Sequence, residues 1–309
     1  MAGDVTTPRV AVVTVTHNSG HVIESWVDAL EETGRRAQME LCVVDSGSIP
    51  AERAFLADRV APRVDAVYES PNLGYGRCCN VGAEQTSAPV LIFTNPDTLV
   101  RSLPDQLWSG PPSMGRLVGA FKQVAGEGVK PLGYEHYPTA VREAERLVLG
   151  RFHRGIARTA EAPAWVTGAA VLVSRADFER IGGFSPALFM YFEDADLCLR
   201  HRAAGGSIEL DPQFLVEHDS GRSSVVDEPD ALASALDTAS RQSARTFAAR
   251  HGRPWHGALL YLLLVLVYVP RRAVAVLLGR GGGPAAVGSN ALDLLFPQRA
   301  LRRLGAPDG

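Results

Sequence analysis

Residues 10–18 read VAVVTVTHN, and this stretch decides the fold. Seven apolar or β-branched residues run without a charge and then stop at His17-Asn18. A continuous run of that length reads as a strand covered on both faces. Working outward, residues 22–33 have the spacing of a helix that Gly34 stops. Residues 40–44, 64–69 and 90–94 are further strand-like runs, and 76–87 reads as a helix between the last two. Strands alternating with helices at this spacing imply βαβ units and a mostly parallel, Rossmann-like α/β sheet flanked by helices. Each strand ends in a polar cluster: His17-Asn18, Asp45-Ser46-Gly47-Ser48, Ser70-Pro71-Asn72 and Asn95-Pro96-Asp97. Ligands of open α/β sheets bind outside the carboxyl ends of the strands, so four polar ends in register predict one crevice.

The rest of the chain sets bounds on that reading. Its 309 residues are 46% apolar and 21% charged, a balance that excludes general disorder, a collagen-like chain and a disulfide scaffold. The net charge of −3 argues against coating nucleic acid, but it hides an asymmetry. Residues 241–309 hold ten Arg, no Lys and two Asp, a net of +8, leaving −11 on residues 1–240. Cys42, Cys78, Cys79 and Cys198 form no C-x-x-C pair, and Cys42 and Cys198 sit in apolar runs, so a reducing compartment is expected. Residues 1–9 contain Asp4 and no apolar signal-peptide core, which predicts a cytoplasmic protein.

Residues 101–164 are less periodic and rich in Pro and Gly. A strand is expected over 165–174 (WVTGAAVLVS), then a short helix over 175–181 with Gly182-Gly183 as its stop. Residues 192–200 read as a helix opening with carboxylates, where the helix dipole favours negative charge. On it, Asp196 and Arg200 are spaced as a surface i,i+4 pair. A strand over 207–215 leads to Glu217-His218-Asp219, and an amphipathic helix follows from Pro229 to about Arg250. Residues 258–270 carry no charge, Arg271-Arg272 interrupt, and 273–279 are apolar again. Neither piece reaches the roughly 20 residues of a membrane-spanning helix. With its flanking arginines the segment reads as an element lying in a membrane interface, and a buried core helix is the alternative. The expected organisation is therefore a nucleotide-binding half (1–100), a catalytic and acceptor half (101–225), and a helical membrane-interface segment (226–309).

Taken one at a time, the chemical candidates are ambiguous. Asp97, on a turn past a buried strand, is well placed for a divalent cation, and Asn-Pro-Asp is also an ordinary turn. Asp45 before Ser-Gly-Ser is equally an Asx-turn. Asn72-Leu73-Gly74-Tyr75-Gly76, feeding a helix with Asn80 and Gly82, suits close approach of a phosphate or ribose without being a dinucleotide G-x-G-x-x-G. Glu193-Asp194 places two carboxylates side by side, so one is a candidate base, while an acidic helix start explains it too. His218 is either a metal ligand or a surface imidazole. No Ser-His-Asp order, P-loop or HExxH is present.

The order of these signals is specific where each alone is not. Thr16-His17-Asn18, Val44-Asp45-Ser46-Gly47-Ser48, the Asn72-x-Gly74-Tyr75-Gly76-x-x-x-Asn80-x-Gly82 loop and Asn95-Pro96-Asp97 come first. Trp165-x-Thr167-Gly168-Ala169, Gly182-Gly183-Phe184, Glu193-Asp194-x-Asp196-Leu197-x-Leu199-Arg200 and His218 complete the series. Spread over about residues 9–224, it resembles the family-two inverting glycosyltransferases of GT-A fold. Within them it is most similar to actinobacterial dTDP-rhamnose-dependent rhamnosyltransferases, which act on polyprenyl-diphosphate-linked N-acetylglucosamine.

The resemblance implies that Asp45 contacts the nucleobase, with Thr16, His17 and Asn18 as the neighbouring wall. It implies that Gly74, Tyr75 and Gly76 line the nucleotide and diphosphate path. Asp97, at the last position of the usual D-x-D, would hold Mg²⁺ or Mn²⁺ with His218. Asn95 stands at the first position, where an amide is a poorer ligand, so a weaker metal site is implied. Asp194 would be the base, Glu193 would orient the acceptor, and Trp165 and Gly168 would shape the acceptor side. The partners implied are a nucleotide-sugar donor, a polyprenyl-linked acceptor and the inner face of the cell membrane, with no nucleic acid and homo-oligomer formation left open. A glycosyltransferase of the same fold using another donor, such as a UDP- or GDP-sugar, is the alternative within the class; a non-catalytic nucleotide-sugar-binding protein and a nucleotidyltransferase, with Arg77 as the one cation near the first loop, are the readings from other classes.

Overall fold

In the computed structural model, residues 9–109, 114–139, 159, 161–218, 229–253 and 255–263 are described, with the single positions 265, 266, 270 and 274. Every residue of β1 (Val10–Thr16) is buried. It pairs in parallel with β2 (Met39–Ser46) on one side and β4 (Val90–Thr94) on the other, and β2 pairs in parallel with β3 (Ala66–Ser70). Alternate side chains of these strands enter two separate cores, as the pleat requires. Val10, Val12, Leu41, Val43 and Ile92 pack with Ile23, Trp26, Val27 and Leu30 of α1 (Gly20–Glu32). Ala11, Val13, Val15, Val44 and Phe93 pack on the opposite face with Cys78, Cys79 and Ala83 of α3 (Tyr75–Glu84). Helix α3 lies so close to the sheet that a Cβ on Gly82 would fall 2.3 Å from Val13 Cγ1. A short α2 (Pro50–Phe55) precedes β3.

The less periodic region supplies the other half of the same sheet. β5 (Thr98–Ser102), β6 (Arg116–Val124) and β7 (Gly128–Pro131) come from it, with a one-turn α4 (Gln106–Ser109). β8 (Gly133–Tyr134) pairs with β9 (Trp165–Val166) in a small second sheet. β10 (Ala170–Ser174) runs antiparallel between β4 and β6, and β11 (Ser207–His218) lies parallel to β6 and antiparallel to β5. The strand order is β3-β2-β1-β4-β10-β6-β11-β5, with β7 added on β6. The sheet is thus mixed, with its parallel core at the amino-terminal end, and β5 straddles the expected division at residue 100. Among the described residues the remaining α-helices are α5 (Arg175–Arg180), α6 (Glu193–Ala203), α7 (Pro229–His251) and α8 (His256–Leu263).

Two expectations need correction. The run 165–174 is not one strand: β9 and β10 belong to different sheets, separated by Thr167-Gly168-Ala169. The backbone of this turn is satisfied elsewhere, Thr167 N–H donating to the Leu132 carbonyl and the Ala169 carbonyl accepting from Asn95 N–H. Second, the Asp196–Arg200 pair is not on the surface. Asp196 is completely buried and accepts from Arg200 Nε at 2.8 Å. All four cysteines are buried.

Among the described residues no helix is long and apolar enough to cross a membrane. Of the apolar stretch expected at 258–270, residues 258–263 form part of α8. Arg271-Arg272, most of 273–279 and the rest of the basic tail lie outside the described residues, as does Asp219.

Candidate active site

The polar strand ends converge on one edge of the sheet. Thr16 and Asp45 are register partners at the carboxyl ends of β1 and β2. The loops beyond them are stitched together: Asn18, in a left-handed conformation (φ 52°), accepts from Ile49 N–H through its side chain and donates its own N–H to Ser48 Oγ. His17 Nδ1 lies 2.7 Å from the Ser46 carbonyl oxygen. Ser48 N–H donates to Asp45 Oδ1 at 3.2 Å, while Asp45 Oδ2 is buried and accepts no hydrogen bond. From the next strand end, Asn72 Oδ1 accepts from Ser46 Oγ and from Gly74 N–H, which fixes the entry to α3. Sequence reasoning misses this role of Asn72, although an Asn two residues before a glycine is an Asx-turn signal that points to it.

The Asn95-Pro96-Asp97 turn closes through Thr98 N–H on the Asn95 carbonyl, and Trp26 Nε1 donates to Thr94 Oγ1 beneath it. Asn95 is tied by its own N–H to Ala169, so this turn and the Gly168 turn are adjacent. Register pairing of Thr98 with His218 brings the far end of β11 alongside and sets His218 Nε2 3.4 Å from Asp97 Oδ1. Asp97 Oδ1 is buried and accepts no hydrogen bond. Among the described residues there is no cluster of three His, Cys, Asp or Glu that would hold a metal ion unaided. A lone carboxylate oxygen beside an imidazole is nevertheless the donor set of a partial site. A hard cation that retains waters and binds substrate phosphates needs only one or two protein ligands.

The carboxylate pair opens α6. Asp194 Oδ2 accepts from Gly168 N–H at 2.9 Å and Oδ1 from Ala195 N–H at 2.7 Å. Tyr75 OH donates to the Gly168 carbonyl at 2.9 Å, so Gly168 links α3 to the helix of the carboxylates. Glu193 lies against Gly76, and its Oε2 is buried and unpartnered. Burial outweighs the helix dipole expected to favour charge here. It raises Glu193 to about 8, with the Asp194 charge adding to the effect. Burial also raises Asp194, to about 6, against the pull of the two backbone N–H groups. Environments that push two neighbouring carboxyls apart give them different roles at neutral pH, one mostly ionised and one mostly protonated.

Gly74 and Gly76 are occupied with protein contacts. Gly74 (φ 87°) packs where a Cβ would fall 2.1 Å from the Phe189 carbonyl oxygen, and Tyr75 N–H donates to that same oxygen. Trp165 stacks on Tyr134, ring centroids 4.2 Å apart, and donates Nε1–H to the His136 carbonyl, so its ring belongs to the small β8–β9 sheet.

One feature unites the edge. Nine buried side-chain nitrogen or oxygen atoms among the described residues have no hydrogen-bond partner. Five of them belong to Thr16, Asp45, Asp97, Thr98 and Glu193. Buried polar groups are normally paired, so such a concentration makes this edge the candidate ligand site.

Residues 11–103 match the model of the family described as Glycosyl transferase family 2. The chain is 27% identical to the N-acetylglucosaminyl-diphospho-decaprenol L-rhamnosyltransferase of Mycobacterium tuberculosis, an alignment covering 82% of this chain and 88% of that one. It is 44% identical over 54 residues to rhamnosyltransferase WbbL of Escherichia coli K12, covering 18% of this chain and 20% of that one. Among solved structures, the mannosyltransferase PcManGT of Pyrobaculum calidifontis, in complex with GDP-Man and Mn²⁺, is similar with a TM-score of 0.52 at 20% identity. That similarity covers 96% of this chain and 83% of the mannosyltransferase, and it speaks for the fold. The chain is thus similar to family 2 glycosyltransferases over residues 11–103, and its α/β fold is GT-A-like.

Proposed function

We propose that the chain is an inverting, nucleotide-sugar-dependent glycosyltransferase that moves L-rhamnose from dTDP-rhamnose onto N-acetylglucosaminyl-diphospho-polyprenol at the inner face of the cell membrane. The observation that carries the transferase reading is the row of unpartnered buried oxygens along the carboxyl edge. The rhamnose and the lipid-linked acceptor rest on the name of the M. tuberculosis relative. Attachment at the membrane is supported by the +8 charge of residues 241–309 and by the outward-facing Trp255, Leu262 and Leu266.

The roles follow from position. Asp45, with Thr16, His17 and Asn18, forms the nucleobase side, and the Gly74-Tyr75-Gly76 turn borders the diphosphate path, with Asn95 beside it. Asp97 and His218 would hold Mg²⁺ or Mn²⁺, which when bound stabilises negative charge growing on the leaving diphosphate. Asp194, mostly ionised at neutral pH, takes the proton of the acceptor hydroxyl as that oxygen bonds to the anomeric carbon. The bond from that carbon to the diphosphate breaks on the opposite side, releasing the nucleoside diphosphate. A single in-line displacement with one base inverts the anomeric centre. Glu193, mostly protonated, can donate a hydrogen bond to the acceptor while Asp194 accepts one. Trp165 and Gly168 border the acceptor side.

A panel of nucleotide sugars tests the donor, because the true donor raises the melting temperature by binding the folded state. Purified protein given dTDP-rhamnose and N-acetylglucosaminyl-diphospho-polyprenol should release dTDP and form the rhamnosyl lipid. Asp194→Asn should abolish transfer and leave donor binding intact. Full transfer by that variant removes Asp194 from the base role, and pyrophosphate release from a nucleoside triphosphate would point to a nucleotidyltransferase instead.

A further inference from the structure

Two consecutive non-glycine residues, Tyr191 (φ 68°) and Phe192 (φ 66°), lie in the left-handed region immediately before Glu193 and Asp194. Side chains with a Cβ rarely adopt this conformation, and it persists where the surroundings over-determine it. The surroundings here come from α7, an element separate from the sheet and from every residue assigned above. Ser243 Oγ donates to the Met190 carbonyl at 2.7 Å. The Phe247 ring packs on Phe192, centroids 5.9 Å apart, and on His251 at 4.7 Å. His251 Nε2 lies 2.6 Å from Asp196 Oδ1, while Arg200 Nε holds the other oxygen of that completely buried carboxylate. These contacts repeat along successive turns of one face of α7. They grip residues 190, 192 and 196, so the candidate base sits between two gripped points. The same segment is tied at Phe189 to the start of α3, so it has little freedom to relax in another direction.

We infer that Ser243 and His251 are positioning residues for the transfer reaction: α7 clamps the strained 190–196 segment so that the Asp194 carboxylate faces the crevice. The inference rests on the base role proposed for Asp194 and extends the machinery beyond residue 218, the last residue of the motif series. His251 acts through Asp196, and Ser243 through the Met190 carbonyl.

The test uses the full chain with dTDP-rhamnose and N-acetylglucosaminyl-diphospho-polyprenol, in His251→Ala, His251→Gln and Ser243→Ala. His251→Ala and Ser243→Ala should lower kcat by about 10- to 100-fold, the scale of a small misplacement of a reacting group, with donor KM and donor affinity unchanged. His251→Gln should recover most of the loss, because a Gln amide can put a donor near the position of Nε2. Hydrogen exchange of the amides of residues 189–196 should quicken in both alanine variants. That readout needs no turnover, so it tests the clamp even if the proposed donor or reaction proves wrong. Folded alanine variants with wild-type kcat and unchanged exchange over 189–196 would overturn the inference. So would faster exchange with kcat unaffected, or a Gln variant as slow as Ala. Should His251→Ala fail to fold, Ser243→Ala alone decides by the same two readouts.

Discussion

Acidification from pH 7.5 to pH 5 separates the proposed base from an ordinary aspartate. With its carboxyl raised to about 6 by burial, Asp194 is about 97% ionised at pH 7.5 and about 9% at pH 5, so kcat at saturating donor should fall about tenfold. An aspartate at the ordinary value of about 3.9 would still be more than about 90% ionised at pH 5, and the rate would barely change. Stability should move the other way. Glu193 and Asp194 both hold protons in the fold at pH values where the unfolded chain has released them. Lowering pH from about 8 toward 5 therefore stabilises the fold through these two groups. Asp177 and Glu209, whose carboxyls are held low by hydrogen bonds, lose their contribution only below the usual carboxylate range. The assay is the initial rate of dTDP release, with donor affinity and melting temperature followed over the same pH series. A rate at pH 5 equal to that at pH 7.5, or a fall that merely tracks lost donor binding or unfolding, would refute the reasoning.

Two further outcomes bear on the donor side. Asp97→Ala should weaken donor affinity about tenfold in Mg²⁺ or Mn²⁺ and make it insensitive to EDTA, as loss of a charged ligand to a cation–diphosphate complex requires; calorimetry showing the same affinity with and without EDTA in the native protein would exclude a metal role. Gly74→Ala should cost about 2–4 kcal/mol, because a Cβ at φ 87° would meet the Phe189 carbonyl oxygen. Urea denaturation reads this directly, and a loss below about 1 kcal/mol would show that the α3 entrance is not rigidly held by Phe189.

How far the sequence could be read depended on the range of the interaction concerned. β1 and β4 were legible because they are uncharged buried runs and β2 through its apolar centre Leu41–Val44, and the polar residues that end them mark the candidate site. The break between β9 and β10 was not, since Thr-Gly-Ala carries no charge or proline to interrupt an apolar run. The turn exists because Leu132, Asn95 and Asp194 take its backbone groups, and all three are distant in sequence. Asp196 and Arg200 were legible as a pair, but an i,i+4 spacing does not say which way the pair faces. The burying partner, His251, lies 55 residues on. Neither Tyr191 nor Phe192 is a residue type that signals a left-handed backbone, so the strained approach to the carboxylates left no trace in the pattern. The proximity of Asp97 and His218 came only from the family resemblance, because no local periodicity predicts that β5 pairs with β11.

That pairing also orders the assembly of the protein in time. The first four strands can form a parallel sheet among themselves, yet the open side of β4 is filled by β10, from residues 170–174. β5, synthesised soon after β4, pairs within the sheet with β11, the last of the described strands to leave the ribosome. Contacts of such long sequence separation are slow to close, and an unpaired strand edge is a template for unwanted association until they do. The corner where Asp97 meets His218 is therefore the last part of the proposed donor site to form among the described strands of a nascent chain, however early most of its residues were made.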